Sequence, residues 1–323
     1  MIRTASQEEI RRVAAPLWTM VNGVRWYDGN SNFDIVKCGI TSIVAHLAYC
    51  AIDADEREKT IRAKVVPCEL YSKLLAGEII DLTQILAGMD FPNVVVLRTR
   101  AFVATVIPAH NIIFVGIRGT QYAYDWLINL RVGKRRAANN LRFHSGFLAE
   151  AQRLRLLLQE WLVDTYDGRK TEQKCAIYFS GHSLGGAVAA ILYHAGLTLP
   201  STMATNSLSG IDGCYVFGSP RISDSRTLLA VHQPFAIRRR LDIVPHCPPR
   251  LLNFGDFLDQ RIPNGRKFEL ADSLEIYFFA SWLTSLAMNS FPENHSMERY
   301  KREVLNTAML DKRVAQYWRF GTP

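Results

Sequence analysis

The stretch that decides the fold is Cys175–Gly186, which reads CAIYFSGHSLGG. Its first five residues favour a β-strand, and the alanine-rich segment Leu184–Ala195 has helical spacing. Between them lies the pattern G-x-S-x-G, which holds a serine on a sharp turn between a strand and a helix. Glycines two positions before and after the serine let the strand and the helix approach each other closely. We therefore predict that Ser183 is a nucleophile. Its elbow consists of Gly181, His182 and Gly185, with the histidine in a structural role.

Strand-like and helical segments alternate along the chain on both sides of this elbow. Runs rich in Val, Ile and Phe precede it at 93–97, 101–107 and 111–117, and a turn is predicted at 108–111. Later strand candidates are 214–217 and 235–241, and further helical candidates are 147–164 and 223–231. Such alternation indicates a mostly parallel central sheet flanked by helices on both faces. The predicted fold class is therefore α/β.

The chain reads as one domain. Its first ninety residues are mainly helical in pattern, with helix candidates at 41–51 and at 72–86, the second interrupted at Gly77. No internal repeat and no linker rich in Pro, Gly or Ser divides the sequence. We expect a single domain over 1–323. It comprises a helical N-terminal part (1–90), a catalytic core (91–300) and a C-terminal helix (301–323).

The composition limits the possible classes of function but does not identify one. Hydrophobic residues make up 48% of the 323 positions and charged residues 21%, which is ordinary for a globular protein and excludes a disordered chain. Lysine plus arginine number 38 against 30 acidic residues, and the resulting charge of +8 favours an anionic partner. The six cysteines include no C-x-x-C pair, which argues against zinc ribbons and redox motifs and favours free thiols.

A serine nucleophile needs a base, and an acid that orients the base. In folds with this elbow, the acid and then the histidine follow the serine along the chain, at the carboxyl ends of later strands. Asp242 directly follows the run 235–241 and is the first choice for the acid. The alternatives, in order, are Asp224 and Asp256. Asp212 precedes a strand and therefore lies at the wrong end of the sheet.

Two histidines follow the candidate acid. His246 comes only four residues after Asp242, on a proline-rich turn, and is too close to reach over from a separate loop. His295 is therefore the predicted base. Asn294 and Ser296 complete a glycosylation sequon around it, which we discount because the N-terminus lacks the apolar core of a signal peptide.

Taken as a set, further motifs resemble those of the class 3 lipases, the family of the fungal triacylglycerol lipases and plant lipase-like proteins. The blocks, in the family's order, are FVGIRGT (114–120), DWLINL (125–130), HSGF (144–147), GHSLGG (181–186), FGSPR (217–221), DIVP (242–245), and His295 with Tyr300. They cover about residues 100–300, and the segment 41–50 resembles the family's N-terminal helix more weakly.

This resemblance implies a function and assigns roles. It implies the α/β-hydrolase fold and a serine carboxylic-ester hydrolase that cleaves lipid esters through an acyl-enzyme, without a metal or cofactor. Ser183 attacks the ester carbonyl, His295 carries the proton, and Asp242 holds the imidazole in the required tautomer. The backbone N–H groups of Thr120 and Leu184 form the oxyanion hole. The alternatives are a phospholipase A-type enzyme acting on anionic membranes and a lipase-like scaffold that binds a partner without catalysis.

The sequence allows two interpretations for each of three further features. Tyr122, Tyr124 and Trp126 occupy the position of the family's short lid, although Trp126 is equally explained as helix core. The basic stretch 131–142 and the run Arg238–Arg240 suit contact with anionic headgroups, or are ordinary solvated charge. The apolar segment 273–288 is a buried helix or a second element that contacts lipid, and it is too short to span a bilayer.

The expected partners are a lipid ester and, peripherally, an anionic lipid surface. Nucleic acid is not expected, because the sequence shows no helix–turn–helix, RNA-stacking motif or zinc finger. The expected location is the cytoplasm or the periphery of a membrane. Export by a route that needs no signal peptide is the alternative.

Overall fold

The description rests on a computed structural model and covers residues 7–22, 24, 26, 32–51, 82–99, 101–119, 133–137, 140–166, 173–200, 203–204, 210–270 and 294–308. The helices are α1 (Gln7–Asn22), α2 (Ile35–Leu47), α3 (Leu82–Ala87), α4 (Ser145–Tyr166), α5 (Leu184–Ala195), α6 (Ser225–Leu229) and α7 (Met297–Ala308). Short 3₁₀ helices cover Ala48–Cys50, Val244–His246 and Arg250–Leu252. The strands are β1 (Val95–Arg98), β2 (Val103–Ala109), β3 (Ile112–Arg118), β4 (Lys134–Arg136), β5 (Arg142–His144), β6 (Gln173–Lys174), β7 (Ala176–His182), β8 (Met203–Ala204), β9 (Gly213–Phe217), β10 (Phe235–Ile237), β11 (Gln260–Pro263) and β12 (Phe268–Leu270).

A mixed sheet of eight strands forms the centre of the molecule, in the order β1-β2-β3-β7-β9-β10-β11-β12. From β3 to β11 all neighbours are parallel, whereas the pairs β1–β2, β2–β3 and β11–β12, towards the two edges, are antiparallel. This topology, with helices on both faces, is the α/β-hydrolase fold and confirms the predicted fold class. The parallel strands all end at one edge of the sheet, so the loops that follow β3, β7, β9 and β10 meet there.

Alternate side chains of the central strands pack into two separate apolar layers. Phe114 and Tyr178 point into the layer that contains α1, α2 and α7, whereas Val115 and Phe179 point into the layer that contains α4 and α5. All seven residues of β3 and all seven of β7 are buried. Strands buried on both faces are typical of a parallel sheet covered by helices on both sides.

The first hairpin differs from the sequence prediction. β2 continues through Pro108, so the turn consists of His110 and Asn111 alone, and the predicted turn at 108–111 is too long. β1 begins at Val95, opposite Val106, so no residue of β1 lies opposite Pro108 to need its N–H. His110 has φ 51°, in the left-handed region that two-residue hairpin turns require.

Helix α2 begins earlier than its apolar pattern indicates. The side chain of Asp34 caps it by accepting the N–H groups of Val36 at 2.7 Å and Lys37 at 3.0 Å. The helix therefore starts at Ile35, six residues before the predicted start at Thr41. It packs against α1, α7 and strands β3, β7 and β9, so the N-terminal part belongs to the main core.

Several predicted segments fall wholly or partly outside the described residues. Of the helix predicted at 72–86, only 82–86 is described, within α3; the apolar segment 273–288, the lid segment and residues 309–323 are not. Within the ranges given above, no helix combines the length and the apolar character needed to cross a bilayer. The prediction that 301–323 is a C-terminal helix concerns a stretch of which α7 covers the first part, up to Ala308.

Candidate active site

The serine elbow lies where β7 meets α5. Ser183 has φ 58° and ψ −131°, a strained conformation for a residue with a side chain, and its N–H donates to the carbonyl oxygen of Phe217 at 2.9 Å. A Cβ on Gly181 would overlap the backbone of Gly185, and a Cβ on Gly185 would overlap the carbonyl oxygen of Ile117 in β3. Both glycines of the pattern are therefore needed for close backbone contacts.

The hydroxyl of Ser183 makes no hydrogen bond within the described part of the fold. The residue is 1% exposed, and it occupies the N-cap position of α5 without making a side-chain capping hydrogen bond. Within the described part of the chain, its Oγ has no hydrogen-bond partner. A serine at the N-terminus of a 12-residue helix also lies where backbone N–H groups and the helix dipole favour negative charge.

His295 and Asp242 form a buried pair. Nδ1 of His295 lies 2.7 Å from Oδ2 of Asp242, and the two side chains are 5% and 0% exposed. The same Oδ2 accepts the hydroxyl of Tyr300 at 2.6 Å, while Oδ1 accepts the N–H of Val244 at 3.0 Å. These hydrogen bonds fix the carboxylate in one orientation, with an oxygen directed at the imidazole.

This pair lies beside the elbow. The imidazole of His182, the residue before Ser183, stacks on that of His295 with a centroid distance of 4.6 Å and an interplanar angle of 31°. The ring of Tyr300 lies 5.6 Å from the ring of His182. The structure therefore brings together the elbow, the predicted base and the predicted acid at the carboxyl edge of the sheet.

The other candidate acids have different partners. Asp224 caps α6 by accepting the N–H of Thr227 at 2.8 Å, and Asp256 forms an ion pair with Arg221 at 2.6 Å. Asp212 accepts a backbone N–H at the start of β7, at the opposite end of the sheet. Among the described residues, Asp242 is the candidate acid that hydrogen-bonds a histidine.

The oxyanion-hole residues are described in part. Leu184 is the first residue of α5, so its N–H belongs to the unpaired end of the helix. Thr120 lies outside the described residues. Its neighbour Gly119 is described, and a Cβ added to Gly119 would lie 2.8 Å from Cβ of Ser183. The loop that leads to Thr120 therefore passes against the nucleophile. The lid candidates Tyr122, Tyr124 and Trp126 also lie outside the described residues.

The basic run Arg238–Arg240 is largely neutralised by carboxylates. Arg239 forms an ion pair with Glu303 at 2.7 Å, and its Nη1 donates to the carbonyl oxygen of Asn294 at 2.6 Å. Arg240 pairs with Glu269 at 3.1 Å. Arg239 thus anchors the loop that carries His295. Asn294 is only 8% exposed, which agrees with discounting the sequon.

Two contributors to the site carry no sequence signal. Tyr49 hydrogen-bonds the ring of His182 at 2.6 Å across 133 residues of sequence, from a segment whose pattern indicates only an apolar helix. Arg239 is hidden in a run of three arginines that reads as surface charge. Only a motif that spans both ends of the chain would have identified them.

His246, rejected as the base, predicts how stability depends on pH. It is 8% exposed, and burial, helped by the positive charges of Arg238 and Arg221, lowers its pKa to about 4. Because a histidine in the unfolded chain has a pKa near ~6.5, the unfolded state binds the proton more tightly. The contribution of His246 is therefore complete above pH ~6.5 and is lost as the pH falls towards ~4, by about 3 kcal/mol in total.

The measurement is urea unfolding of the wild type and His246→Gln from pH 7.5 down to about 4.5. We expect the wild type to lose more free energy of unfolding than the variant over this range. Comparing the two removes the contributions of other groups, including buried His182. Parallel pH profiles would show that His246 takes up no proton on unfolding and would contradict the prediction.

The chain is similar to known proteins both in sequence and in structure. Residues 114–252 match the model of the class 3 lipase family, which confirms the resemblance seen in the motifs. None of the curated protein sequences matches the chain. Among solved structures, lipase II from Rhizopus niveus is 18% identical with a TM-score of 0.42, over 66% of this chain and 82% of that one. The Rhizomucor miehei triacylglyceride lipase is 19% identical with a TM-score of 0.42, over 70% and 78% of the two chains.

Proposed function

We propose that this chain is a class 3 lipase, a carboxylic ester hydrolase that cleaves lipid esters with Ser183, His295 and Asp242. The observation that carries the proposal is the buried His295–Asp242 pair, with its 2.7 Å contact, stacked beside the strained serine elbow. An elbow serine with an oriented imidazole beside it provides the nucleophile and the base that acyl transfer uses.

The proposed reaction proceeds in two halves. Oγ of Ser183 attacks the ester carbonyl while His295 takes the serine proton, and the carbonyl electrons move onto the oxygen. Collapse of this intermediate breaks the bond to the alcohol, which receives the proton from His295. Water then attacks the acyl-enzyme in the same way and releases the fatty acid. Asp242 remains the acceptor of the Nδ1 proton throughout, and the N–H groups of Leu184 and Thr120 stabilise the oxyanion.

Covalent labelling and a substrate panel test this function together. A fluorophosphonate probe reports an activated serine, and the panel contains triacylglycerol, diacylglycerol, phospholipids and short p-nitrophenyl esters. We expect labelling, and hydrolysis of at least one lipid ester. A folded protein that is neither labelled nor active would refute the proposal and favour the scaffold that binds a partner without catalysis.

One observation favours phospholipase A-type activity on anionic membranes as the second candidate. A cavity of about 720 Å³ lies between the β4–β5 hairpin and α6, and it is lined by Arg136, Arg142 and Arg226. Arg136 and Arg142 lie directly opposite each other across the hairpin, an arrangement of like charges that disfavours the pairing of the two strands.

The carboxylates near this cavity leave its arginines available. Within the described part of the chain, none of the three arginines forms an ion pair with a carboxylate. Asp224 also lines the cavity, but it accepts the N–H of Thr227. A phosphate-bearing headgroup would supply the missing negative charge.

This second candidate makes a prediction about membrane binding. The double variant Arg136→Gln/Arg142→Gln should bind vesicles rich in anionic phospholipid about 10- to 30-fold more weakly, since each basic residue near such a surface contributes about 1 kcal/mol. Sedimentation with vesicles measures the binding, which should also weaken as salt is raised.

The matched control is Arg11→Gln/Arg12→Gln. It removes the same charge from the exposed side of α1, in the layer on the other face of the sheet, and it should bind like the wild type. An equal loss in the control would indicate a general charge effect. That result, or vesicle binding that does not weaken as salt is raised, would argue against the cavity as a headgroup site.

A further inference from the structure

We propose that Tyr49 and His182 form a positioning pair, which holds the oxyanion loop and the imidazole of His295 in place around Ser183. The inference rests on the proposed function, because it concerns how that same site is assembled. Neither residue is expected to touch the substrate. Both act through groups that do.

The contact between the two side chains is short and buried. The hydroxyl of Tyr49 lies 2.6 Å from Nδ1 of His182, and the two rings meet edge to face with centroids 5.6 Å apart. Tyr49 belongs to the 3₁₀ helix Ala48–Cys50, which continues directly from α2. The helical N-terminal part therefore reaches the residue that precedes the nucleophile.

The chemistry of the two groups sets the direction of this hydrogen bond. Burial raises the pKa of Tyr49, so the phenol remains protonated. Burial, and then the charge of His295, lower the pKa of His182 well below the usual value, so this ring remains neutral. A neutral imidazole offers one acceptor nitrogen. Among the described residues, Nδ1 of His182 is the hydrogen-bond partner of the phenol, so we assign Tyr49 as the donor and place the ring proton on Nε2.

Tyr49 also fastens the loop that leads to the oxyanion hole. Gly119 directly precedes Thr120, and a Cβ on Gly119 would lie 2.8 Å from the hydroxyl of Tyr49 and 2.8 Å from Cβ of Ser183. The backbone at this point is thus enclosed between the phenol and the nucleophile. Removing the hydroxyl would open a gap beside Gly119 and allow the loop to shift.

His182 transmits the second effect to the base. Its ring stacks on His295 at 4.6 Å, and His295 becomes positively charged each time it takes the serine proton. A second imidazolium at this distance would oppose that charge. Burial keeps the ring of His182 neutral, and the hydrogen bond from Tyr49 to Nδ1 adds to this by favouring the neutral form and fixing the orientation of the ring.

The test is Tyr49→Phe, which removes the hydroxyl and keeps the ring. With a short p-nitrophenyl ester we expect kcat to fall about 10- to 100-fold while KM changes less than about twofold, because the change affects the transition state rather than binding. The melting temperature should change little. A loss of packing alone would instead lower the melting temperature and leave the kcat of the remaining folded enzyme unchanged.

Nitrogen NMR of histidine-labelled protein gives a readout that does not depend on activity. The wild type should show His182 as a neutral ring with its proton on Nε2, and Tyr49→Phe should raise the pKa of that ring. His182→Gln assigns the signal. Tyr178→Phe is the matched control: this buried tyrosine lies on the same strand and donates to the carbonyl oxygen of Trp26 at 3.3 Å, so neither kcat nor the His182 signal should change.

The double variant Tyr49→Phe/His182→Gln completes a cycle. If Tyr49 acts largely through His182, the combined loss of kcat is smaller than the product of the two single losses. Wild-type kcat and an unchanged His182 signal in Tyr49→Phe would overturn the positioning role while leaving the proposed function intact. A wild type that neither reacts with fluorophosphonate nor hydrolyses esters would overturn the proposed function and this role with it.

Discussion

Ser183→Ala is expected to lower kcat for ester hydrolysis by about 10⁴- to 10⁶-fold and to abolish fluorophosphonate labelling. The hydroxyl is the only group that the substitution removes, and it has no hydrogen-bond partner in the described part of the chain. The free energy of unfolding should therefore be unchanged or slightly higher, since a buried unpaired polar group is lost. Steady-state kinetics and urea unfolding of the same preparation measure both quantities.

Ser180→Ala is the matched control for this experiment. Ser180 lies three residues earlier in β7, is fully buried, and its Oγ likewise has no hydrogen-bond partner among the described residues. The two variants thus remove the same group from neighbouring buried positions, but only one position is the elbow. We expect Ser180→Ala to keep kcat within about twofold of wild type. Retention of a tenth or more of the activity in Ser183→Ala would exclude it as the nucleophile.

Gly185→Ala should have the largest effect on stability. The added Cβ would overlap the carbonyl oxygen of Ile117 and lie 2.7 Å from the carbonyl carbon of Arg118. Both atoms belong to the backbone of β3, which pairs with β7 in the middle of the sheet and cannot retreat without breaking that pairing. We expect a loss of about 3 kcal/mol or more in the free energy of unfolding, or failure to fold.

Gly88→Ala is the corresponding control. Gly88 follows α3, and its added Cβ would lie 3.5 Å from the carbonyl oxygen of Ile85, which is ordinary contact. Its free energy of unfolding should stay within about 1 kcal/mol of wild type. If Gly185→Ala unfolds at the same urea concentration as this control, then α5 does not approach β3 as closely as described.

The predictable part of the site is the part that obeys local rules. The elbow required only a strand, a small-residue turn and a helix in sequence, and its glycines are where backbone contacts demand them. Asp242 is predicted as the acid from its position after a strand-like run, although β10 ends earlier than predicted, at Ile237, and the carboxylate follows on a turn. His295 followed by elimination, because few histidines come late in the chain.

What sequence could not reveal depends on contacts between distant segments. Asp34 caps α2 and thereby makes the helix begin at Ile35. The apolar pattern of the sequence suggests a later start, at Thr41. In the sequence Arg239 resembles ordinary surface charge. In the structure its guanidinium pairs with Glu303 and donates to the carbonyl oxygen of Asn294. The partnership of Tyr49 with His182 joins two segments whose patterns are independent of each other. In each case tertiary packing, rather than periodicity, decides the outcome.

The matched segment 114–252 contains the proposed nucleophile and acid, but the imidazole proposed to activate that serine lies 43 residues beyond its end, at position 295. Tyr300 and Tyr49, which contact the acid and the elbow, also lie outside it. Two proteins that share this segment can therefore differ in whether they hold a complete proton-transfer apparatus. Whether a protein that shares this segment can carry out the proposed reaction would thus depend also on the residues that it holds at the positions equivalent to Tyr49, His295 and Tyr300, outside the segment.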